Sequence, residues 1–156
     1  MNTSNNTSQT PPGKINLKLF KRLKGLSIFL GILMFTFGFL KLFSPISGWF
    51  HSQVVNAGLP LISIPAGIFT EMLVGLMFLI PWLSGAFSVQ RRRQINIAAS
   101  FILVSQMLVA TYVHLQPNVP AGVLPLGIKP PFIPLTVLVL AVLNGFFFYQ
   151  LPGKES

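Results

Sequence analysis

The chain contains no cysteine and no aspartate, and only two of its 156 residues are acidic, Glu71 and Glu155. Without a thiol, a dithiol relay, a thiolate metal site, an iron–sulfur cluster and disulfide exchange within this chain are excluded. The missing cysteines say nothing of redox compartment, because there is no thiol to protect. Charge is also scarce: 8% of residues are charged, against about 25% in an average soluble domain. A soluble fold of ordinary composition does not fit. No internal repeat is visible, and nothing resembles a cleavable signal peptide. A polar leader precedes the basic run, and the apolar stretch after it lacks a small-residue cleavage site.

Long apolar runs are what the chain has. Residues 25–43, 62–83, 95–115 and 132–151 each approach or exceed the roughly 20 residues of helix that cross a hydrocarbon core of about 30 Å. The expected fold is therefore all-α, an integral membrane four-helix bundle in contact with the lipid bilayer. Residues 1–13, rich in Asn, Ser, Thr and Gln and closing on Pro11-Pro12-Gly13, are expected to form a disordered leader. Residues 14–156 form one transmembrane domain.

The net charge of +9 suits nucleic acid less well than a membrane, because of where the charge lies. Lys14, Lys18, Lys21, Arg22 and Lys24 precede the first span, Arg91, Arg92 and Arg93 separate the second from the third, and Lys154 follows the fourth. Only Lys41 and Lys129 fall on the other side. Cytoplasmic loops carry such an excess, so both termini and the second connection are expected inside, in a bacterial inner membrane. The basic run reads as a topology anchor against anionic lipid, with no nucleic-acid partner. Lys14–Lys24 interleaves with Ile15, Leu17, Leu19, Phe20 and Leu23, as either an amphipathic turn on the membrane surface or a flexible basic flank.

Proline and glycine punctuate the rest. Ser44-Pro45 stops the first span, and Pro45–Leu61 reads as an outer loop with Trp49 and Phe50 at the interface and a turn at Gly58-Leu59-Pro60. Pro65 suits the first turn of the second helix, and Pro81-Trp82 ends or kinks it. Gln116–Pro131 carries five prolines among apolar residues and is expected to fold over the outer mouth of the bundle.

The residue that stands out is Glu71, inside the second apolar run. A charged group at bilayer depth costs about 2.5–3.5 kcal/mol on insertion scales, so it faces a bundle interior or wet cavity and has a partner. Gly67 and Gly75 flank it at i−4 and i+4, a spacing that lets another helix approach closely. The first helix offers a matching stripe of Ser27, Gly31, Met34, Gly38 and Lys41. A buried Lys41–Glu71 pair is expected between these faces, against the alternative of Lys41 snorkelling to headgroups. Lys41 sits one to two turns nearer the outer surface than Glu71, so the lysine must bend inward. His114, ending the third span, is a further candidate, with Gln106 and Thr111 near its face. His51, read as a loop residue, makes a bis-histidine haem with His114 unattractive, and no metal site is indicated.

Taken together, Gly31, the run Phe37-Gly38-Phe39-Leu40-Lys41-Leu42, the Gly58-Leu59-Pro60 loop, Glu71 with Gly75, and His114 before a proline-rich loop and a Pro-started last helix resemble the DoxX family of small four-helix membrane proteins. The likeness covers the chain after the leader. Where members often have a glycine and a Thr-Arg pair, this chain has Pro81-Trp82-Leu83 and then Arg91-Arg92-Arg93. The resemblance implies a quinone-linked subunit or accessory of a redox complex, working with a membrane or periplasmic redox partner. Its outward polar pocket would use Glu71 as the proton-exchanging or hydrogen-bonding group, with Lys41 beside it and His114 as a second donor. Two other readings stay open. One is a non-catalytic assembly factor in which Lys41–Glu71 locks two helices. The other, an isomerase using Glu71 as acid and base, has little support from a single carboxyl without a clear second proton donor.

Overall fold

In a computed structural model, residues 17–151 are described, and they are predominantly helical. Five α-helices follow in order: α1 (Leu17–Leu40), α2 (Ile46–Asn56), α3 (Ser63–Leu83), α4 (Val89–Leu115) and α5 (Phe132–Gln150). α1, α3, α4 and α5 are long and apolar enough to cross a membrane, which makes this a multi-pass membrane four-helix bundle. α1 packs chiefly on α3, and α4 on α5. The leader 1–13 lies outside the described residues.

The burial pattern is what a lipid solvent selects. Phe101, Phe69, Tyr149 and Leu108 are exposed, while Ser27, Asn96, Ser100, His114 and Asn144 are buried. Lipid tails are as apolar as leucine, so large apolar side chains gain little by turning inward, and polar groups hold helices together instead. Asn144 does this for three helices. It accepts from Ser27 Oγ at 3.1 Å and donates through Nδ2 to Ser100 Oγ at 3.1 Å, linking α1, α5 and α4.

The glycine faces set the α1–α3 approach. A Cβ on Gly75 would lie 2.6 Å from the Phe35 backbone nitrogen, one on Gly31 3.0 Å from the Gly75 carbonyl oxygen, and one on Gly38 3.0 Å from the Met72 nitrogen. Backbone thus meets backbone along the seam. The expected faces need two corrections. Gly67 packs against the Phe50 ring of α2 instead of against α1, and Ser27 turns to α5.

Several boundaries differ from the sequence expectation, each for a visible reason. α1 is already helical at Leu17 and ends at Leu40, three residues before the expected end of the span, as the chain tightens into short-range turns from Phe39 and Leu40 to Leu42 and Phe43. From Leu17 on, the basic flank is thus the first turns of the spanning helix, not a separate surface turn. α4 likewise absorbs Arg91–Arg93, expected in a loop, because Ser88 caps it by accepting from the Arg91 N–H. α3 runs through Pro81 and stops at Leu83. The outer loop Pro45–Leu61 is largely helix: α2 begins after Pro45, whose fixed φ suits a helix start. It closes with Gly58 at φ +70°, where the Leu59 and Gly58 N–H groups donate to Val54 and Val55 carbonyls.

The bundle has two distinct ends. α2 and residues 116–131 cover one, here the lid end. The other carries Arg91–Arg93, the start of α1 and the end of α5, here the basic end. Between them lies a dry core of Leu30, Met34, Val74, Phe78, Leu103 and Ala141.

Candidate functional site

Lys41 comes first on the path to the site because α1 ends just before it. Its N–H still donates to Phe37 O at 3.3 Å, so it occupies one more turn of the helix path. One turn back, Gly38 lies against the Glu71 Cβ, which brings the carboxylate close to the base of the lysine stem. The expected mismatch of one to two turns therefore reduces to about one turn, which a lysine spans easily. Nζ sits 2.5 Å from Glu71 Oε1, with side-chain exposures of 16% and 14%. The ammonium also lies 4.0 Å from the Phe50 ring centroid, a cation–π contact contributed by α2.

His114 approaches from α4. Its Nδ1 is 2.9 Å from Ala110 O, one turn back on the same helix. A carbonyl oxygen carries no proton, so Nδ1 is the donor and holds the ring in place. The other ring nitrogen, Nε2, is buried with no hydrogen-bonding partner among the described residues, and so is Glu71 Oε2. Buried polar atoms are rarely left so.

Lys41, Glu71 and His114 all line one cavity of about 350 Å³ at the lid end. Its floor is apolar, from Met34, Met107, Ala110 and Val137, and its roof comes from α2 and the 116–131 segment. An engineered cavity of about 150 Å³ holds benzene, so this one has room for a substituted ring and part of a chain. The roof is tied down at several points. Gln53 Nε2 donates to Val123 O, Lys129 Nζ donates to Val119 O and Gln116 O, and Val113, Val119, Leu124 and Ala57 pack together. Leu126, at the rim, has φ +57°, a left-handed backbone that costs an L-residue about 1–2 kcal/mol.

The other polar candidates fall elsewhere. His51 is exposed and lies in α2, not in a loop. Thr111 donates to Met107 O within α4, and Gln106, with both amide atoms buried and unpartnered, is not on the cavity wall. Thr136, a further polar residue near the start of α5, belongs to a separate shallow groove on that helix. No cluster of three potential metal ligands occurs among the described residues. Gln53, Trp49 and Phe50 were not foreseen as cavity walls, because Pro45–Leu61 read as loop. The usable signal was its first half, Ile46–Asn56, which runs without an internal proline. Neither protein-family models nor searches of curated proteins and solved structures gave a match to this chain.

Proposed function

We propose that this protein is a DoxX-like, quinone-linked subunit or accessory of a bacterial inner-membrane redox complex. It holds a quinone or similar lipid-soluble molecule in the lid-end cavity for a membrane or periplasmic redox partner. The observation that carries this reading is the meeting of Lys41, Glu71 and His114, from three separate segments, on the wall of one apolar cavity of about 350 Å³. Ligand sites have this character: mostly apolar, a few hundred Å³, with a small number of convergent polar groups. In this reading Lys41 fixes one carboxylate oxygen of Glu71, and the other carboxylate oxygen and His114 Nε2 orient the ligand head. The dry core beneath the cavity confines exchange to the lid side.

Among the described residues, Lys18, Lys21, Arg22, Lys24 and Arg91–Arg93 lie at the basic end and only Lys41 and Lys129 at the lid end; in this reading the basic end faces the cytoplasm and the cavity opens outward. Alkaline phosphatase fused after Leu61 is then active and a fusion after Gln94 inactive; the opposite result reverses the orientation. The ligand reading is tested by purification in mild detergent, organic extraction and mass spectrometry. Wild-type protein is expected to carry an isoprenoid quinone, in its oxidised or its quinol form, near one per chain, and Ala110→Phe, which fills the cavity, is expected to lose it. Wild-type protein that carries only bulk phospholipid removes the ligand from the reading.

A second reading has its own observation. The 2.5 Å Lys41–Glu71 contact bridges α1 and α3 beside the glycine seam, as a lock between two helices in an assembly factor would. A paired-variant experiment, described below, separates the two.

A further inference from the structure

The cavity wall has a polarity that its size alone does not convey. Its two buried unpartnered side-chain atoms are both acceptors. As the carboxylate of an ion pair, Glu71 has no proton to give; Lys41 occupies Oε1, and Oε2 is left buried without a donor. His114 donates through Nδ1 to Ala110 O, so in the neutral ring Nε2 holds a lone pair and no hydrogen. That atom too is buried without a donor, in a side chain only 5% exposed. The donors on the wall are mostly directed elsewhere or lie at the edge. The Lys41 ammonium faces Glu71 and the Phe50 ring, the Gln53 amide nitrogen serves Val123 O, and Trp49 is 44% exposed.

We infer that the cavity takes a ligand that brings two hydrogen-bond donors on an apolar body, a dihydroxy ring being the simplest example, and discriminates against the corresponding dicarbonyl. This rests on the ligand-binding reading above and adds which oxidation level of the head group the site prefers. A ligand that enters between Glu71 and His114 displaces any water serving those atoms and must supply the donors itself. A hydroxyl does so; a quinone carbonyl sets acceptor against acceptor. Sites built to bond a hydroxyl reject analogues that lack it by about 10⁴–10⁵ when fully closed. Here the Glu71 side chain keeps 14% exposure, so we expect about tenfold to hundredfold.

The test uses the whole protein in lipid nanodiscs and three probes with one alkyl tail: a hydroquinone kept reduced, its dimethyl ether and its benzoquinone. Binding is read by quenching of tryptophan fluorescence: Trp49 lies on the cavity wall, and Trp82 in the basic-end core serves as the distant emitter. The hydroquinone is expected to bind at least tenfold more tightly than either of the others. In His114→Phe, which keeps a ring but no acceptor, the hydroquinone affinity falls about tenfold while that of the dimethyl ether stays within twofold. The wild-type probe series decides the matter even if that variant does not fold. Equal affinity for all three probes overturns the donor preference while leaving a ligand site in place. Tighter binding of the benzoquinone also overturns it, since the carbonyls must then be served by Lys41, by Trp49 or by a proton on His114 Nε2. No binding of any probe overturns both this inference and the ligand-binding reading.

Discussion

The two ends of the bundle treat polar groups in opposite ways. At the basic end most of them close on one another: Ser27, Asn144 and Ser100 form a buried chain of hydrogen bonds, and Arg93 donates to the Phe148 and Tyr149 carbonyls, capping α5. Arg92 reaches the Phe87 carbonyl and stacks 5.3 Å over Trp82. The unpartnered atoms there, Trp82 Nε1 and Asn96 Oδ1, belong to side chains packed into the protein, Trp82 among Leu23, Phe148 and Leu151. At the lid end an ion pair and a histidine line a cavity, and each keeps one unserved acceptor. Interhelical polar contacts are enough to hold the bundle, as the basic end illustrates. Groups left open at the other end are surplus to that task, and this contrast is the physical ground for placing function there.

The contrast presupposes a rigid seam that delivers Glu71 to Lys41, and breaking the seam should have the largest effect. At Gly75 the obstacle to a side chain is the Phe35 backbone, 2.6 Å from a Cβ, and backbone cannot swing aside. Gly75→Leu is expected to cost about 3 kcal/mol, the upper part of the usual overpacking range. Gly48→Ala, where a Cβ meets nothing within 4 Å, is expected to be near neutral. Thermal melting and monodisperse yield in detergent check both, and a normal Gly75→Leu protein would argue against close α1–α3 contact.

The ion pair gives the next largest effect and decides between lock and site. Removing one member of a fully buried pair costs about 3–5 kcal/mol because the other charge is left uncompensated. These side chains keep 16% and 14% exposure, so about 2 kcal/mol is expected for Lys41→Met alone. The double variant Lys41→Met with Glu71→Leu should return close to wild-type stability. A lock needs only the contact, so the lock reading expects the double variant to complement a deletion strain. The site reading expects it to fold and to lose its ligand, and expects the same of Glu71→Gln, which keeps the shape but not the charge. Full complementation by the double variant would sink the site.

The sequence made the helices plain because a bilayer dictates their length and composition: all four spans appear close to where the apolar runs place them, apart from the basic flanks that α1 and α4 absorb. Glu71 and Lys41 were legible because each is a rare charge beside glycines at helical spacing, and close backbone approach is what glycine permits. His114 was visible only as a polar residue at a helix end. Its membership in the cavity depends on how α4 is rotated, which a nearly uniform apolar helix does not encode. α2 was missed for a related reason. It lies between a proline and a glycine turn, where flanking signals point to loop, and its helicity depends on packing Phe50 against Gly67 and on tying Gln53 to Val123. Such tertiary contacts decide a short helix when propensity does not.

The smallest expected effect tests the buried hydrogen-bond chain on the basic-end side. Asn144 is fully buried and joins α1, α4 and α5 by accepting from Ser27 and donating to Ser100. Interhelical hydrogen bonds in a membrane average about 0.6 kcal/mol each, because the separated helices also find partners in the bilayer. Asn144→Leu removes two and fills nearly the same volume, so a loss of about 1 kcal/mol is expected. The two serines limit the damage: a serine hydroxyl in a helix can turn back to the carbonyl one turn before it, as Ser52 and Ser105 do here, so neither is left unsatisfied. The lid-end cavity should be untouched, since the dry core of Leu30, Val74, Phe78 and Leu103 separates it from this layer. Ligand content by extraction and mass spectrometry should therefore match wild type while the melting temperature falls slightly. A melting loss as large as that of Lys41→Met would show that the basic end carries more of the fold than its hydrogen bonds account for. Loss of ligand without loss of stability would show that the two ends are coupled through the core, and the separation argued here would fail.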